Sequence, residues 1–363
     1  MKRILVTGSG GPAGVNFLMS LRISGEKMYI VGTDVSELHL YHAKPFLDAT
    51  YKVPKCAEES YIDVINEIIE REKIDLVYAQ PDIEVRKISD EREKINANIH
   101  LPSKRTIIIC QDKYLSCLEW MKKGLNVPKT IEIRRNHLED DIRRAFDELG
   151  SPIWIRAKHG AGGRGSTPAH NEETALNWVK YWYSRGVNWE FIAQEYLPGR
   201  NIAFQSVFHE GEVVVSQARE RLEYIYPHLS PSGITGTPEV SKTIHDDKVN
   251  EIATEAVLAI DENATGIFCV DLKEGKNGEI YPTEINAGRF FTTSFFFAYA
   301  GKVLNVWYAN MPYVYVKLAF GERVENVQKY NILPEGIYWI RHIDCGITLL
   351  YEREGIEKHL TLI

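Results

Sequence analysis

Two carboxylates, Asp271 and Glu284, lie on either side of an Asn-Gly pair that predicts a tight β-hairpin turn. If residues 277–278 are the two turn residues, counting outward places Asp271 directly opposite Glu284. Cross-strand neighbours share a face of the sheet, and Asn286, two residues past Glu284, points to that face as well. Two carboxylates and an amide oxygen are hard oxygen ligands that suit Mg²⁺ or Mn²⁺. The hairpin therefore predicts a site for a divalent cation.

The same count puts the two acids in a non-hydrogen-bonded pair, where side chains are closest, and sets Pro282 opposite Lys273. Like charges at such a distance repel, and a bound cation would relieve the repulsion. The alternative is an exposed hairpin in which Lys273 and Lys276 neutralise the acids.

A glycine cluster follows the short apolar strand predicted at 152–157. Its four glycines lie among basic side chains, in the order Arg156, Lys158, Gly160, Gly162, Gly163, Arg164, Gly165. A flexible cationic loop suits a polyphosphate, although no GK[ST] run closes it as in a P-loop. We expect Arg156 and Lys158 to neutralise phosphate charge while the backbone around Gly162 and Gly163 closes over a nucleotide. The alternative is a solvated hairpin tip.

The N-terminal glycines form a third motif. Gly8, Gly10 and Ala13 match the G-x-G-x-x-G/A pattern between a strand and a helix, and Asp34 ends the second strand. The motif favours an NAD-dependent oxidoreductase, but a helix N-terminus suits any anion, and a plain βα turn explains it equally well.

Taken in order from Met1 to about Arg289, these motifs resemble those of ATP-grasp proteins, in the carbamoyl-phosphate synthetase large-subunit-like branch. Asp112-Lys113-Tyr114 resembles the entry to the ATP-binding part, Gln194-Glu195-Tyr196-Leu197 the adenine hinge, and Glu284-Ile-Asn286-Ala-Gly-Arg289 the Glu-x-Asn-Pro-Arg signature. Ala-Gly replaces the usual proline there, and Arg200-Asn201 replaces the acid that binds ribose in many relatives.

The resemblance implies a role for each matching residue. It implies ATP binding by Lys113, Arg156, Lys158, Gly162, Gly163, Gln194, Glu195, Tyr196, Leu197 and, weakly, Asn201; Mg²⁺ binding by Asp271, Glu284 and Asn286; and catalysis by Arg289 with Arg156. It also gives the N-terminal domain a part in binding the acceptor substrate rather than a dinucleotide. Candidates for that substrate are Gly10, Gly11, Arg219 and Arg221, together with the polar loop 230–237.

Alternating strands and helices over the first 110 residues predict a parallel α/β fold, with a last strand at Thr106–Cys110. With the resemblance, the expected architecture is α/β, becoming α+β towards the C-terminus. A Rossmann-like pre-ATP-grasp domain (1–110) precedes a two-lobed ATP-grasp fold, with a small lobe carrying the glycine-rich lid (111–190) and a large lobe carrying the metal hairpin (191–363).

Composition excludes several function classes. The net charge of −7 is diffuse, so no nucleic-acid surface is expected, and no run approaches the length of a membrane span. The start at a strand-like run predicts a cytoplasmic protein. A homodimer is possible. Five scattered cysteines without a CxxC pair predict reduced core thiols.

The leading hypothesis is an ATP-dependent ligase that phosphorylates a small carboxylate to an acylphosphate, which an amine then attacks. The alternatives are phosphorylation of carbamate or bicarbonate, the NAD-dependent oxidoreductase, and a degenerate ATP-grasp module that binds nucleotide without turnover.

Overall fold

A five-stranded parallel sheet forms the N-terminal domain of the computed structural model, which describes residues 1–160, 162–343 and 346–360. The strand order is β3-β2-β1-β4-β5. Its elements are β1 (Lys2–Val6), α1 (Pro12–Ile23), β2 (Met28–Asp34), α2 (Glu37–Ala43), β3 (Ala49–Lys52), α3 (Tyr61–Glu72), β4 (Leu76–Tyr78), α4 (Asp82–Asp90) and β5 (Asn98–Ile99). The central strands are almost entirely buried, as expected for a parallel sheet covered on both faces, so the α/β prediction is confirmed.

The strand predicted at Thr106–Cys110 is wrong, because these residues lie in helix α5 (Lys104–Gln111). The isoleucine run suggested a strand, but the side-chain oxygen of Ser103 caps the helix by accepting from the Thr106 amide at 3.1 Å. The buried residues of α5 fall at helical spacing against β14, which is defined below. The proposed boundary at 110 therefore lies within a helix, and α6 (Lys113–Lys122) follows directly.

The small lobe is an antiparallel sheet in the order β6-β9-β7-β8, covered by two helices. Its elements are β6 (Thr130–Ile133), α7 (Leu138–Leu149), β7 (Ile153–Ala157), β8 (Thr167–Ala169), α8 (Glu172–Ser184) and β9 (Phe191–Glu195). Ile142, Ile155 and Phe191 belong to a core that draws only on this lobe. Strand β9 lies beyond residue 190, so the sheet of the lobe extends to Glu195.

The large lobe is built on an eight-stranded antiparallel sheet in the order β14-β13-β10-β11-β12-β15-β16-β17. Its elements are β10 (Asn201–His209), β11 (Glu212–Tyr224), β12 (Pro238–Ile244), α9 (Asp247–Ile260), β13 (Gly266–Glu274), β14 (Ile280–Ala287), α10 (Phe295–Leu304), α11 (Met311–Ala319), β15 (Ile337–His342), β16 (Gly346–Tyr351) and β17 (Ile356–Leu360).

The N-terminal domain and the large lobe share their cores. Aromatic rings from both meet where Phe17 stacks on Tyr78 and lies near Phe290. The amide nitrogen of Asn310 also donates to the Ser20 carbonyl at 2.6 Å. The two parts therefore pack as one body, while the small lobe has a hydrophobic core of its own.

The predicted pairing of Asp271 with Glu284 is confirmed, but the turn count behind it is wrong by one residue. The Gly275 amide donates to the Glu279 carbonyl at 2.8 Å, so the loop between these residues is longer than an Asn-Gly pair. A bulge at Thr283 shifts the register back. As a result Pro282 faces Leu272 rather than Lys273.

Four of the five cysteines, Cys56, Cys110, Cys117 and Cys269, are buried and free of disulfides, as predicted for reduced core thiols. Burial raises the pKa of the Cys269 thiol to about 12, so this group is uncharged at neutral pH. The fifth, Cys345, lies outside the described residues.

Glu84 provides a pH test of the N-terminal domain, because it is only 4% exposed and lies near Tyr61 and Thr7. Burial raises its pKa to about 7 from 4.5; the Thr7 hydroxyl opposes the shift and the Asp34 carboxylate adds to it. The folded state thus holds a proton that the unfolded chain releases, so stability is lost as pH rises from about 4.5 through 7. We expect Glu84→Gln to remove roughly 3 kcal/mol of this pH-dependent loss.

The measurement is urea unfolding at pH 5 and pH 8, with the exposed Glu67→Gln on α3 as the matched control. If the free energy of unfolding changes equally between the two pH values in wild type and in Glu84→Gln, Glu84 is not a buried group that is neutral in the folded state.

Candidate active site

The two hairpin carboxylates lie on β13 and β14, each beside basic groups from other elements. The Arg221 Nη2 lies 2.5 Å from Asp271 Oδ1, and the Arg156 Nη2 donates to Glu284 Oε2 at 2.7 Å. Lys113 Nζ approaches Glu284 Oε1 at 3.6 Å. Basic side chains from other elements therefore neutralise the two acids, in place of the two lysines named in the exposed-hairpin alternative.

Lys273 instead donates to the Gly199 carbonyl at 2.8 Å and to Asn201 Oδ1 at 2.9 Å. Lys276 is exposed at the hairpin loop. Neither side chain neutralises the acids, so the exposed-hairpin alternative is excluded.

The pKa values of the two carboxylates are shifted in opposite directions. Burial raises the pKa of Asp271, the nearby Arg221 opposes the shift, and Glu284 adds to it. For Glu284, burial acts in the same direction, but Lys113 and then Arg156 outweigh it and lower its pKa. The predicted repulsion between the acids is thus real, and basic side chains compensate for it.

Arg289 links this hairpin to the N-terminal domain. It pairs with Asp82, the first residue of α4, with Nη2 donating to Asp82 Oδ2 at 2.9 Å, and it also donates to Asn286 Oδ1. The Asn286 amide nitrogen in turn approaches Asp271 Oδ2 at 3.4 Å. Two of the predicted metal ligands, Asp271 and Asn286, are therefore connected to the predicted catalytic arginine, while Glu284 contacts Arg156 and Lys113 beside them.

Lys113 joins this group of side chains to the glycine-rich loop. Asp112 caps α6 by accepting from the amides of Tyr114 and Leu115 at 2.8 and 3.0 Å, which fixes Lys113 at the first helical position. From there Lys113 Nζ donates to the Gly160 carbonyl at 2.8 Å, at the base of the loop.

The glycine-rich loop meets the polar loop 230–237 above the carboxylates. Gly163 has a φ of +70°, and a Cβ there would lie 2.5 Å from the Ile234 carbonyl oxygen. A Cβ on Gly236 would lie 2.4 Å from the Gly162 Cα. This backbone-to-backbone approach requires glycine in both loops.

Lys158, predicted to bind ATP, lies elsewhere. Its ammonium pairs with Glu132 and lies 3.8 Å from Glu190 Oε1, and it is absent from the lining of the cavity described next. Alternation along β7 would set Lys158 on the same side as Arg156, but the strand ends at Ala157, and the Lys158 ammonium donates to Glu132 of the small-lobe sheet instead.

A cavity of about 660 Å³ separates the two lobes. Its polar end holds Arg156, Asp271, Glu284, Asn286 and Arg289. The predicted hinge also lines the cavity, with the apolar side chains of Pro128, Trp154, Leu197 and Leu272 among the lining residues; the remaining ones there are Gln194, Glu195, Tyr196 and Asn201. The glycines at 162 and 163 and the loop 232–238 line its rim. Such a cavity has room for a nucleotide with its phosphates at the carboxylates.

Two of the acceptor-substrate candidates line the same cavity and two do not. Arg219 and Arg221 lie on β11, with their guanidinium groups 5.6 and 4.9 Å from the Phe291 ring centre. Gly10 and Gly11 instead line a separate hollow of about 400 Å³ beside His39 and His42.

One face of the large sheet carries most of this chemistry. In the pairing register, Asp271 faces both Glu284 and Ala203, and Ala203 faces Arg219. Directly opposed residues share a face, so the acids and the arginines of β11 project into one cavity.

The donor set fits a magnesium ion that also binds phosphate. Among the described residues no group of three or more His, Cys, Asp or Glu side chains has metal-binding geometry. Asp271, Glu284 and Asn286 offer only a few oxygens, which matches the preference of Mg²⁺ for a few protein ligands plus water and phosphate oxygens.

Trp154, which lines the cavity, and Asp82, which pairs with Arg289, were not singled out from the sequence. Trp154 precedes Arg156 by two residues on β7, so the alternation that exposes one also exposes the other, and this signal was available. Asp82 had no such local signal, because its partner Arg289 is 207 residues away.

Comparison with protein-family models decides the classification. The model described as an ATP-grasp domain matches residues 110–293 of the 363. The chain belongs to the ATP-grasp family. A second model, the PylC-like N-terminal domain, matches residues 4–101 of this ATP-grasp protein.

The relatives agree with this assignment. The arginine-specific mitochondrial carbamoyl phosphate synthase large chain of Neurospora crassa is 25% identical over 195 residues, covering 49% of this chain and 16% of that one. The large chain from Clostridium botulinum strain Langeland is 25% identical over 150 residues, covering 41% and 14%. This ATP-grasp chain thus spans about one sixth of the length of these relatives or less.

Solved structures support the fold. N5-carboxyaminoimidazole synthetase from Staphylococcus aureus with ADP has a TM-score of 0.69 at 17% identity, covering 93% of this chain and 82% of that one. The biotin carboxylase domain of the Hydrogenobacter thermophilus 2-oxoglutarate carboxylase has a TM-score of 0.69 at 16% identity, covering 93% and 73%. The predicted two-lobed ATP-grasp fold behind a Rossmann-like domain is confirmed.

The N-terminal glycines also argue against a dinucleotide. The Gly10 amide donates to Asp34 Oδ2 at 3.2 Å and the Ser36 amide to Asp34 Oδ1 at 2.9 Å, so the acid expected to meet a ribose binds backbone instead. A Cβ on Gly10 would lie 2.5 Å from the His39 backbone, which shows how closely α2 covers this turn. The oxidoreductase alternative is not favoured.

The contact between the two loops can be tested with a pair of glycine substitutions. Gly162 and Gly163 both have positive φ, so alanine strains either one by about 1–2 kcal/mol, but only the Cβ of Gly163→Ala meets the Ile234 carbonyl. We expect Gly163→Ala to weaken binding of a fluorescent ATP analogue by about a further tenfold relative to Gly162→Ala. Equal affinities for the two variants, measured by fluorescence titration, would show that the loops separate when nucleotide binds.

Proposed function

We propose that this ATP-grasp protein is an ATP-dependent ligase that phosphorylates a small-molecule carboxylate and joins the resulting acylphosphate to an amine. The observation that carries the proposal is that Lys113 and Arg156 contact Glu284, and Arg289 contacts Asn286, beside Asp271 at one end of the cavity. Basic groups beside paired carboxylates suit the transfer of a phosphoryl group, which needs positioning and charge neutralisation more than covalent chemistry.

We assign the phosphates to Arg156 and Lys113. Both now neutralise Glu284, and the fork of Arg156 can turn to bind phosphate oxygens in a bidentate way. Asp271, Glu284 and Asn286 would hold Mg²⁺, which supplies charge neutralisation on the phosphate oxygens when bound. The arginine at 289 stays fixed by Asp82, aimed at the site of charge development.

The adenine would lie between Trp154 and Leu272, with the backbone of Glu195 and Leu197 at its polar edge. Asn201 is already bonded to Lys273, so the ribose contact assigned to it is shared with that lysine. The glycine-rich loop and the loop 230–237 would exclude water during transfer, which protects an acylphosphate from hydrolysis.

The acceptor candidates separate into two groups under this proposal. Arg219 and Arg221 lie in the reaction cavity, whereas Gly10 and Gly11 would act on a substrate only if it reached their own hollow. Phosphorylation of carbamate or bicarbonate is the less favoured alternative, because the matches to carbamoyl phosphate synthases are 25% identical over less than half of this chain.

We include in the proposal a cytoplasmic location, a supply of small-molecule acids and amines, and the absence of a nucleic-acid partner. Among the described residues no helix has the length and apolarity needed to cross a bilayer, and the longest, α9, has 14 residues. The homodimer remains a prediction, and sedimentation would measure the oligomeric state.

The decisive experiment measures Mg²⁺-dependent ADP release with a panel of carboxylic acids and amines. We expect Glu284→Gln and Asp271→Asn each to lower turnover by about a hundredfold or more, since each removes a ligand charge from the cation site. Glu251→Gln, on the exposed face of α9, is the matched control.

Two results would contradict the proposal. Equal turnover by Glu284→Gln and wild type would remove the metal assignment. Tight binding of Mg-ATP without turnover across the whole panel would instead identify a degenerate module that binds nucleotide only.

A further inference from the structure

Arg219 is a buried cation without a carboxylate partner among the described residues. Its side chain is 1% exposed, and its one protein hydrogen bond runs from Nη1 to the Thr293 carbonyl at 3.4 Å. Its Nη2 is buried and unpartnered. Burial, reinforced by the neighbouring charge of Arg221, lowers the pKa of Arg219 to about 9. An unpaired guanidinium in such a place is costly unless a ligand supplies the missing anion.

Arg341 repeats this arrangement on β15. Its Nε donates to the Pro238 carbonyl at 3.1 Å and its Nη1 to the Thr292 carbonyl at 3.4 Å, while Nη2 is buried and has no hydrogen-bond partner within the described part of the chain. Burial lowers the pKa of this arginine as well, to about 10. Both carbonyl acceptors belong to residues that line the reaction cavity, although Arg341 itself is not part of that lining and reaches the cavity wall through them.

The sheet register sets the two arginines on the cavity face. Arg221 on β11 faces Ser241 on β12, which faces Trp339 on β15. Arg219 and Arg341 each lie two residues from this row, in opposite directions along the strands, and their side chains approach each other at the adjacent carbonyls of Thr293 and Thr292. Residues two apart on a strand point the same way, so both arginines share the face of Asp271.

Arg221, by contrast, is neutralised by Asp271 at 2.5 Å. The excess positive charge therefore lies on Arg219 and Arg341, away from the carboxylate hairpin. Because Asp271 and Arg219 are separated by the single strand β10, about 10 Å lies between their Cα atoms. This separation leaves room for a second anion at Arg219 apart from phosphates bound at the carboxylate hairpin.

We propose that Arg219 and Arg341 form a subsite for a second oxyanion of the acceptor substrate, so that the acid carries another carboxylate or a phosphate besides the group it activates. The inference rests on the proposed function. The unpartnered Nη2 atoms donate to the second anion, and the packing of Arg219 near Phe291 and Phe297 holds its guanidinium in place. A simple monocarboxylic acid lacks the group that this subsite requires.

The test compares three small acids by calorimetric titration, with and without a non-hydrolysable Mg-ATP analogue. The probes are glutarate, its monoamide, which replaces one carboxylate by an amide of similar shape, and 3-phosphonopropionate. We expect glutarate or 3-phosphonopropionate to bind the wild type about tenfold or more tightly than the monoamide. The stronger of the two identifies carboxylate or phosphate as the natural second anion.

Substitutions of the arginines test which side chains cause the preference for an acid with a second anionic group. Arg341→Met and Arg219→Met should abolish it, while the exposed Arg323→Met should retain it. Arg341→Met keeps the test valid if the fully buried Arg219 is needed for folding. Equal binding of glutarate and the monoamide by the wild type, or a preference that survives both substitutions, would overturn the subsite.

A separate titration with a fluorescent ADP analogue distinguishes failure of the subsite from failure of the proposed function. Normal nucleotide binding without a dianion preference contradicts only the subsite. Loss of nucleotide affinity in Arg341→Met would assign this arginine to the nucleotide and also contradict the subsite. A wild type that discriminates the acids but binds no nucleotide would support the subsite and contradict the ligase.

Discussion

The mutual neutralisation of buried acids and bases around the hairpin organises the rest of the structure. Glu284 is held by Lys113 from the start of the small lobe and Arg156 from its sheet, and Asp271 by Arg221 from the large sheet. Arg289 extends the network to Asp82 of the N-terminal domain. Each buried charge would be costly alone, so the network requires all three parts of the chain to assemble before the site exists.

This arrangement has a consequence for ligand binding. The groups suited to phosphate and the groups suited to Mg²⁺ now neutralise one another, so the free protein does not hold a large unbalanced charge at Glu284. A magnesium nucleotide can take over both sets of ion pairs, since its cation would contact the acids and its phosphates would contact Lys113 and Arg156. The exchange of one set of ion pairs for another limits the desolvation cost of binding.

The large sheet also separates functions along its width. Its carboxylates lie on β13 and β14, Arg219 and Arg221 two and more strands away on β11, and Arg341 further out on β15. Since the side chains share a face, distance across the sheet becomes distance along the cavity. The glycine contacts between the loops at 163 and 234 cover this face from the opposite side.

The sequence by itself determined the parts that depend on local pattern. The βα alternation, the glycine-rich loop after β7 and the order of the ATP-grasp motifs were all readable, because period and motif spacing are local properties. The pairing of Asp271 with Glu284 was predicted correctly, although a longer turn and a bulge at Thr283 cancelled in the count. The strand at Thr106–Cys110 failed because a Ser103 cap and packing outweighed β-branched propensity.

Only the tertiary structure decided which charges meet. Lys158 looked as suitable for phosphate as Arg156, yet it pairs with Glu132 outside the cavity, and the partner of Arg289 is an acid 207 residues earlier. Arg341 was not among the predicted site residues, because only the pairing of β12 with β15 sets it on the same face of the sheet as Arg219. Charge partners across such separations are set by the packing of lobes and sheets, which residue spacing does not encode.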